Sequence, residues 1–269
     1  MSLRPPSLFR LVGAALLGAV AAVVAISPAW AAAPITYAAL GDSYSSGVGA
    51  GGYDSASGSC SRSPRSYTAL WARSHAVATF TSAACSGATT ADVLNNQLGV
   101  LSAATTLVTI TIGGNDAGFV SVVTTCLLGT DGACAFAVNN AKSFATGTLP
   151  ARLDRTYAAI RSRAPHATVI VLGYPHLFEQ TASCGLFGLN LTKRRTLNSA
   201  ADTLAGVLAA RAAAARDTFV DVRGSFAGHG ICGSQPWINS TTWPVTDSYH
   251  PTSNGYRFGY LPALVGVTG

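Results

Sequence analysis

The chain has 269 residues, of which 49% are hydrophobic and 10% charged, and its formal net charge is +6. That apolar content excludes an intrinsically disordered chain. The longest basic run is Lys193-Arg194-Arg195, read as a solvated helix face, so nucleic acid is excluded as an expected partner.

The amino terminus reads as a secretory leader. Arg4 and Arg10 form a basic segment, and residues 11–26 are apolar and uncharged. This run is shorter than the ~20 residues a membrane span needs. Ala29-Trp30-Ala31 then offers a small-x-small cleavage site. The expectation is a leader over residues 1–31, cut near Ala31, and one domain over residues 32–269.

The first strand is expected at residues 35–40, an apolar run followed by Gly41-Asp42-Ser43-Tyr44. A serine there leaves a strand end, where open α/β folds hold ligands. Gly47-Val48-Gly49-Ala50-Gly51-Gly52 fits a dinucleotide fingerprint, but no helix start follows it, and that reading is set aside. A helix is expected over residues 64–75, with Ser63 as N-cap and Pro64 at its first position.

Strands are expected at residues 77–84 and 107–112, the second rich in β-branched side chains. Leu153, Tyr157 and Ile160 mark a helix over residues 149–163, which Pro165 ends. A strand at 168–172 precedes an Ala-rich helix at 191–216 with Leu197, Leu204 and Leu208 on one stripe. A short strand at 219–222 and a helix at 254–265, interrupted near Pro262, close the chain.

Residues 47–61, 126–140 and 174–190 read as long loops. Strands alternating with helices at this spacing predict a parallel sheet covered on both faces.

Cys60, Cys85, Cys126, Cys134, Cys184 and Cys232 lie in a chain read as exported, so three disulfides are expected. No pair has the close spacing of a zinc ribbon. Several connectivities are open; sequential pairing, which closes three local loops, is the expectation.

Further segments at strand ends supply chemistry. Ser43 could attack an ester carbonyl if a base removes its proton. His250 could be that base and return the proton to the leaving alcohol. Asp247, three residues earlier, could hold the imidazole tautomer. Gly87 could present a backbone N–H and Asn115 a side-chain amide to a developing oxyanion. Asp42 is read as fixing the turn by local hydrogen bonds, and Asp116 as supporting the loop after the third strand.

His75, His166, His176 and His229 are scattered and read as surface or core residues, with His176 near a strand end. Trp237 and Trp243 are read as core, or else as an apolar wall for an acyl chain.

Gly-Asp-Ser after a strand, a glycine in a second block, Gly113-Gly114-Asn115-Asp116 in a third and Asp247-x-x-His250 near the end resemble the GDSL, or SGNH, hydrolases. The chain is most similar to small secreted bacterial GDSL lipases and esterases with three disulfides. The usual GDSL reads Gly-Asp-Ser-Tyr here, which leaves every catalytic group in place.

The resemblance implies an α/β fold, a three-layer α/β/α sandwich with a mainly parallel five-stranded, flavodoxin-like sheet, and neither metal nor organic cofactor. It implies Ser43 as nucleophile, His250 as base, and the Ser43 N–H, Gly87 N–H and Asn115 side chain as oxyanion hole. Some similar secreted enzymes orient the histidine with a backbone carbonyl. The Asp247 carboxylate is the expectation here and the carbonyl of residue 247 the alternative.

The expected substrate is a small ester or lipid, met through transient contact with a lipid surface, and the expected state is a monomer. A phospholipase, a carbohydrate-ester deacetylase and a secreted binding protein on an inactive hydrolase fold are the alternatives.

Overall fold

Five parallel strands lie side by side in the order β2-β1-β3-β4-β5. They are β1 (Ile35–Gly41), β2 (Val77–Ser82), β3 (Leu107–Thr111), β4 (Thr168–Leu172) and β5 (Thr218–Val220). The computed structural model describes residues 1–3, 34–181, 183–185 and 188–269. The expected leader and its cleavage near Ala31 lie outside the described residues. Residues 34–269 form one unit by their internal contacts.

The central strand β3 is buried along its whole length, as a strand covered on both faces must be. On one face, α2 (Tyr67–Ser74) packs against the C-terminal helix α8 (Leu261–Thr268). Trp71 is buried there beside Tyr37 of β1, and its Nε1 donates to Thr268 Oγ1 at 2.9 Å. On the other face lie α4 (Phe119–Leu128), α5 (Asp131–Gly147), α6 (Leu149–Arg163) and α7 (Leu191–Ala215), packed on one another. Two short helices follow strands on the carboxyl side, α1 (Ser43–Ser46) directly after β1 and α3 (Thr90–Asp92) after a connecting segment that follows β2. The result is the expected three-layer α/β/α sandwich.

Four readings change. The helix expected from residue 64 starts at Tyr67, because Ser66, not Ser63, caps it: Ser66 Oγ accepts from the Ala69 N–H. Ser63 instead closes a turn, its carbonyl accepting from the Ser66 N–H at 3.1 Å.

The loop expected at 126–140 is a helical hairpin. Gly129 ends α4, Thr130 caps α5 by accepting from the Ala133 N–H, and the Cys126–Cys134 disulfide fastens the two helices across the turn.

The closing helix starts only at Leu261 and runs to Thr268, so the interruption expected near Pro262 falls just before it. A wide π turn over Gly255–Tyr260 precedes it and accommodates a ring that would otherwise meet the carbonyl of residue 258.

Arg194 is buried rather than solvated. Its guanidinium donates to the carbonyls of Leu189, Glu179 and Thr181 and so ties the segment after β4 to α7.

The other disulfides join Cys60 to Cys85 and Cys184 to Cys232. The sheet order reverses direction between β1 and β3, and the crevice at their carboxyl ends is where such folds bind ligands. Ser43 follows β1, and Asn115 follows β3.

Candidate active site

β1 ends at Gly41 with φ +113°, and a β-carbon there would meet the Thr111 carbonyl oxygen at 2.2 Å. Only glycine lets the two strand ends approach so closely. Buried Gln97 pairs with both backbone groups of Gly41, at 2.7 and 2.9 Å. Asp42 then caps α1, its Oδ1 accepting from the Tyr44 N–H at 3.0 Å. Ser43 is therefore the first helical residue, where a backbone N–H has no partner within the helix.

Ser43 Oγ lies 2.8 Å from His250 Nε2, and both residues are buried. His250 Nδ1 lies 2.9 Å from the carbonyl oxygen of Ser248. A carbonyl only accepts, so Nδ1 carries the proton and Nε2 is free to accept from the serine hydroxyl. Burial lowers the His250 pKa from 6.5 to about 4; the Ser248 carbonyl and the charge of Asp247 oppose that shift. The imidazole is thus neutral at neutral pH.

The loop carrying His250 is held from several sides. Asn239 exchanges backbone bonds with it, donating to the His250 carbonyl and accepting from the Tyr249 N–H, both at 2.9 Å. Tyr249 sits at φ 62°, a left-handed conformation that costs a bulky residue on the order of 1–3 kcal/mol. Tyr44 OH, on the residue after Ser43, donates to the Tyr249 carbonyl at 2.8 Å, which links the segments that carry Ser43 and His250.

The expected contact of Asp247 with the imidazole is not made. Its Oδ1 accepts instead from Tyr53 OH at 2.6 Å, and Tyr53 OH accepts from the Gly49 N–H at 2.9 Å. The chain turns at residues 245–247, and it is the Ser248 carbonyl that reaches Nδ1. The carbonyl of residue 247, the alternative considered above, accepts only a long 3.4 Å bond from the His250 backbone N–H.

Asn115 Nδ2 donates to the Ala88 carbonyl at 3.0 Å, tying the segment after β3 to that of Gly87. The second amide proton of Asn115 is left for another acceptor. Gly87 has φ +79°, and its N–H makes no hydrogen bond among the described residues. The Cys60–Cys85 disulfide and a bond from the Ser86 N–H to the Cys60 carbonyl hold this segment. Asp116 accepts from the Thr90 N–H and hydroxyl and pairs with Arg152, so it supports the loop after β3 as expected of it.

Asp42 is buried behind Ser43. Its Oδ2 accepts from Tyr174 OH at 2.5 Å and its Oδ1 from Thr111 Oγ1 at 2.7 Å. Burial raises its pKa from 3.8 to about 6, although the bonds from Tyr174, Thr111 and the Tyr44 backbone oppose the rise. Tyr174 OH also accepts from the Gly114 N–H at 3.3 Å. One phenol thus joins the turn carrying Ser43 to the segment carrying Asn115.

A cleft partly open to solvent runs from Ser43 and Asn115 between the helices. Phe119, Val122, Val123, Leu177, Leu197 and Leu204 make its walls.

His176 pairs with Asp202 at 2.7 Å, His75 stacks on Trp71, His229 stacks on half-buried Trp237, and His166 is exposed. Trp243 is 89% exposed, so the expectation of a core residue fails there; the loop before His250 turns it outward.

Tyr53 and Ser248 had no sequence signal as parts of the site. Ser248 acts through a carbonyl that every residue possesses. The place of Tyr174 just after an apolar strand was the one available hint.

Residues 39–258 match the model of the GDSL-like lipase/acylhydrolase family. An extracellular lipase of Streptomyces rimosus is 53% identical, and its crystal structure superposes with a TM-score of 0.83 over 86% of this chain and 98% of that one. The structure of phospholipase A1 from Streptomyces albidoflavus is 50% identical, with a TM-score of 0.85 over 87% of this chain and 99% of that one. Lipase 1 of Streptomyces coelicolor is 49% identical over 96% of this chain and 98% of its own length.

Proposed function

The chain belongs to the GDSL-like lipase/acylhydrolase family and is a carboxylic ester hydrolase, and on that premise we propose that Ser43 is its nucleophile and His250 its general base. The observation that carries this reading is the 2.8 Å contact of Ser43 Oγ with His250 Nε2, with Nδ1 turned to a carbonyl. His250 takes the Ser43 proton as Oγ attacks the ester carbonyl. The oxyanion meets the Ser43 N–H, the Gly87 N–H and the Asn115 amide. His250 returns the proton to the leaving alcohol, and water then hydrolyses the acyl-enzyme by the reverse sequence. The orienting group is the Ser248 carbonyl, so the unit works as a dyad.

The substrate in this reading is a lipid ester whose acyl chain lies along the apolar cleft. Secretion after removal of residues 1–31 fits the disulfides. The likeness to phospholipase A1 adds phospholipids as a second class.

Ser43→Ala should lower kcat by roughly 10⁴- to 10⁶-fold without unfolding the protein, His250→Ala by about as much, and the double variant little more. Activity of Ser43→Ala within about tenfold of wild type would sink the assignment. A panel of esters of rising chain length, with triglyceride and phospholipid added, ranks the substrate classes.

A further inference from the structure

Lys142 is one of two lysines in the chain, and it lines the same cleft as Ser43. It lies on the inward stripe of α5 with Val138, Ala141 and Ala145. α5 packs on α4, α6 and α7, so Lys142 reaches the cleft from the helical layer, whereas Ser43 reaches it from the end of β1. Between them the walls are apolar.

Lys142 as a residue is half-buried, and among the described residues no carboxylate lies within ion-pair distance of its ammonium. Its hydrogen-bond contact is with Ser199 Oγ at 3.5 Å, the outer limit of such a bond. Asp42 is the one carboxylate lining the cleft, and Thr111, Tyr174 and the Tyr44 N–H already engage it. A ligand anion entering this cleft meets a cation that no protein carboxylate engages, and a charge-assisted hydrogen bond to it is favoured.

We propose that Lys142 is a specificity-determining residue that pairs with an anionic group joined to the substrate's apolar chain. The enzyme then favours esters bearing such a group over neutral esters of equal length. This rests on the reading that the cleft beside Ser43 holds the substrate's chain. The anion has two sources, a carboxylate ending the acyl chain or the phosphate of a phospholipid.

The test compares kcat/KM for two pairs of esters on wild type, Lys142→Met and Lys142→Arg. One pair is the mono-p-nitrophenyl ester of suberic acid against p-nitrophenyl octanoate. The other is phosphatidic acid against diacylglycerol of the same chains in neutral detergent micelles.

In at least one pair, the preference of wild type for the anionic member should fall roughly tenfold or more in Lys142→Met, the scale of a hydrogen bond to a charged group, and return in Lys142→Arg. The pair that responds identifies the source. Should Lys142→Met fail to fold, the wild-type preference must still shrink between low salt and about 1 M, where screening is nearly complete.

Neutral esters turned over with no charge preference sensitive to residue 142 or to salt would overturn the inference and leave the proposed function standing. A wild-type protein that hydrolysed no ester would overturn the proposed function, and this inference with it.

Discussion

The imidazole of His250 is oriented by the backbone of Ser248: Nδ1 and that carbonyl oxygen are 2.9 Å apart. The nearest acid in sequence, Asp247, is held away by Tyr53 OH. A backbone carbonyl fixes the tautomer as a carboxylate does, but it brings no full negative charge to stabilise the imidazolium.

Asp247→Asn should therefore reduce kcat by less than about tenfold, against the ~10⁴-fold that follows neutralisation of a triad acid. Asp247 nevertheless raises the His250 pKa through its charge. The substitution should move the acid limb of kcat/KM from near pH 4 to slightly lower pH. A loss of several hundredfold in kcat would restore the carboxylate to the site.

Asp42 and His250 should give opposite pH dependences of stability. The Asp42 pKa is raised in the fold, so its contribution is full below its unfolded value of 3.8 and is lost as pH rises through about 6. The His250 pKa is depressed, so its contribution is full above 6.5 and is lost as pH falls through about 4. The two slopes oppose each other over one window. Urea midpoints measured across that window should rise with pH for Asp42→Asn relative to wild type, and fall with pH for His250→Gln. Parallel curves for all three proteins would refute both shifts.

Tyr174→Phe removes the donor to Asp42 and the acceptor of the Gly114 N–H. Hydrogen bonds to charged groups contribute about 1.5–3 kcal/mol, and a loss of that size in unfolding free energy is expected. Because the phenol joins the turn of Ser43, the proposed nucleophile, to the segment of Asn115, kcat should fall more than KM rises. A change confined to stability would limit Tyr174 to a packing role.

Cys60 and Cys85 lie 25 residues apart in sequence and hold the segment of Gly87. The paired Cys60→Ser and Cys85→Ser variant should lose on the order of 3 kcal/mol in the chain-entropy model. Calorimetry measures the loss of stability, and a drop in kcat at a temperature where the variant is folded reports on the proposed oxyanion role of the Gly87 segment.

Arg194→Leu leaves the carbonyls of Leu189, Glu179 and Thr181 without their buried donor. Each unsatisfied buried group costs about 1–3 kcal/mol. Limited proteolysis should cut first within residues 174–190, before α7 opens. A variant as resistant as wild type would show that the Cys184–Cys232 disulfide holds this segment alone.

The order of strands and helices was readable from periodicity, because alternating and helical apolar patterns are local properties of the chain. The strand at 168–172 and the helix at 149–163 match the structure to the residue. Ser43 and Asn115 were visible because each follows the end of an apolar strand, and His250 because of the Asp247-x-x-His250 block near the end of the chain.

The hairpin of α4 and α5 was misread because glycines and cysteines resemble loop residues until a disulfide and a Thr130 cap are seen to close it. Arg194 looked solvated because charge predicts exposure, whereas three carbonyls of the preceding segment made its burial favourable. Tertiary structure alone decided which acceptor orients His250. The competition between Asp247 and Ser248 turns on a phenol at Tyr53, 194 positions away in sequence, and no local pattern records a contact of that range.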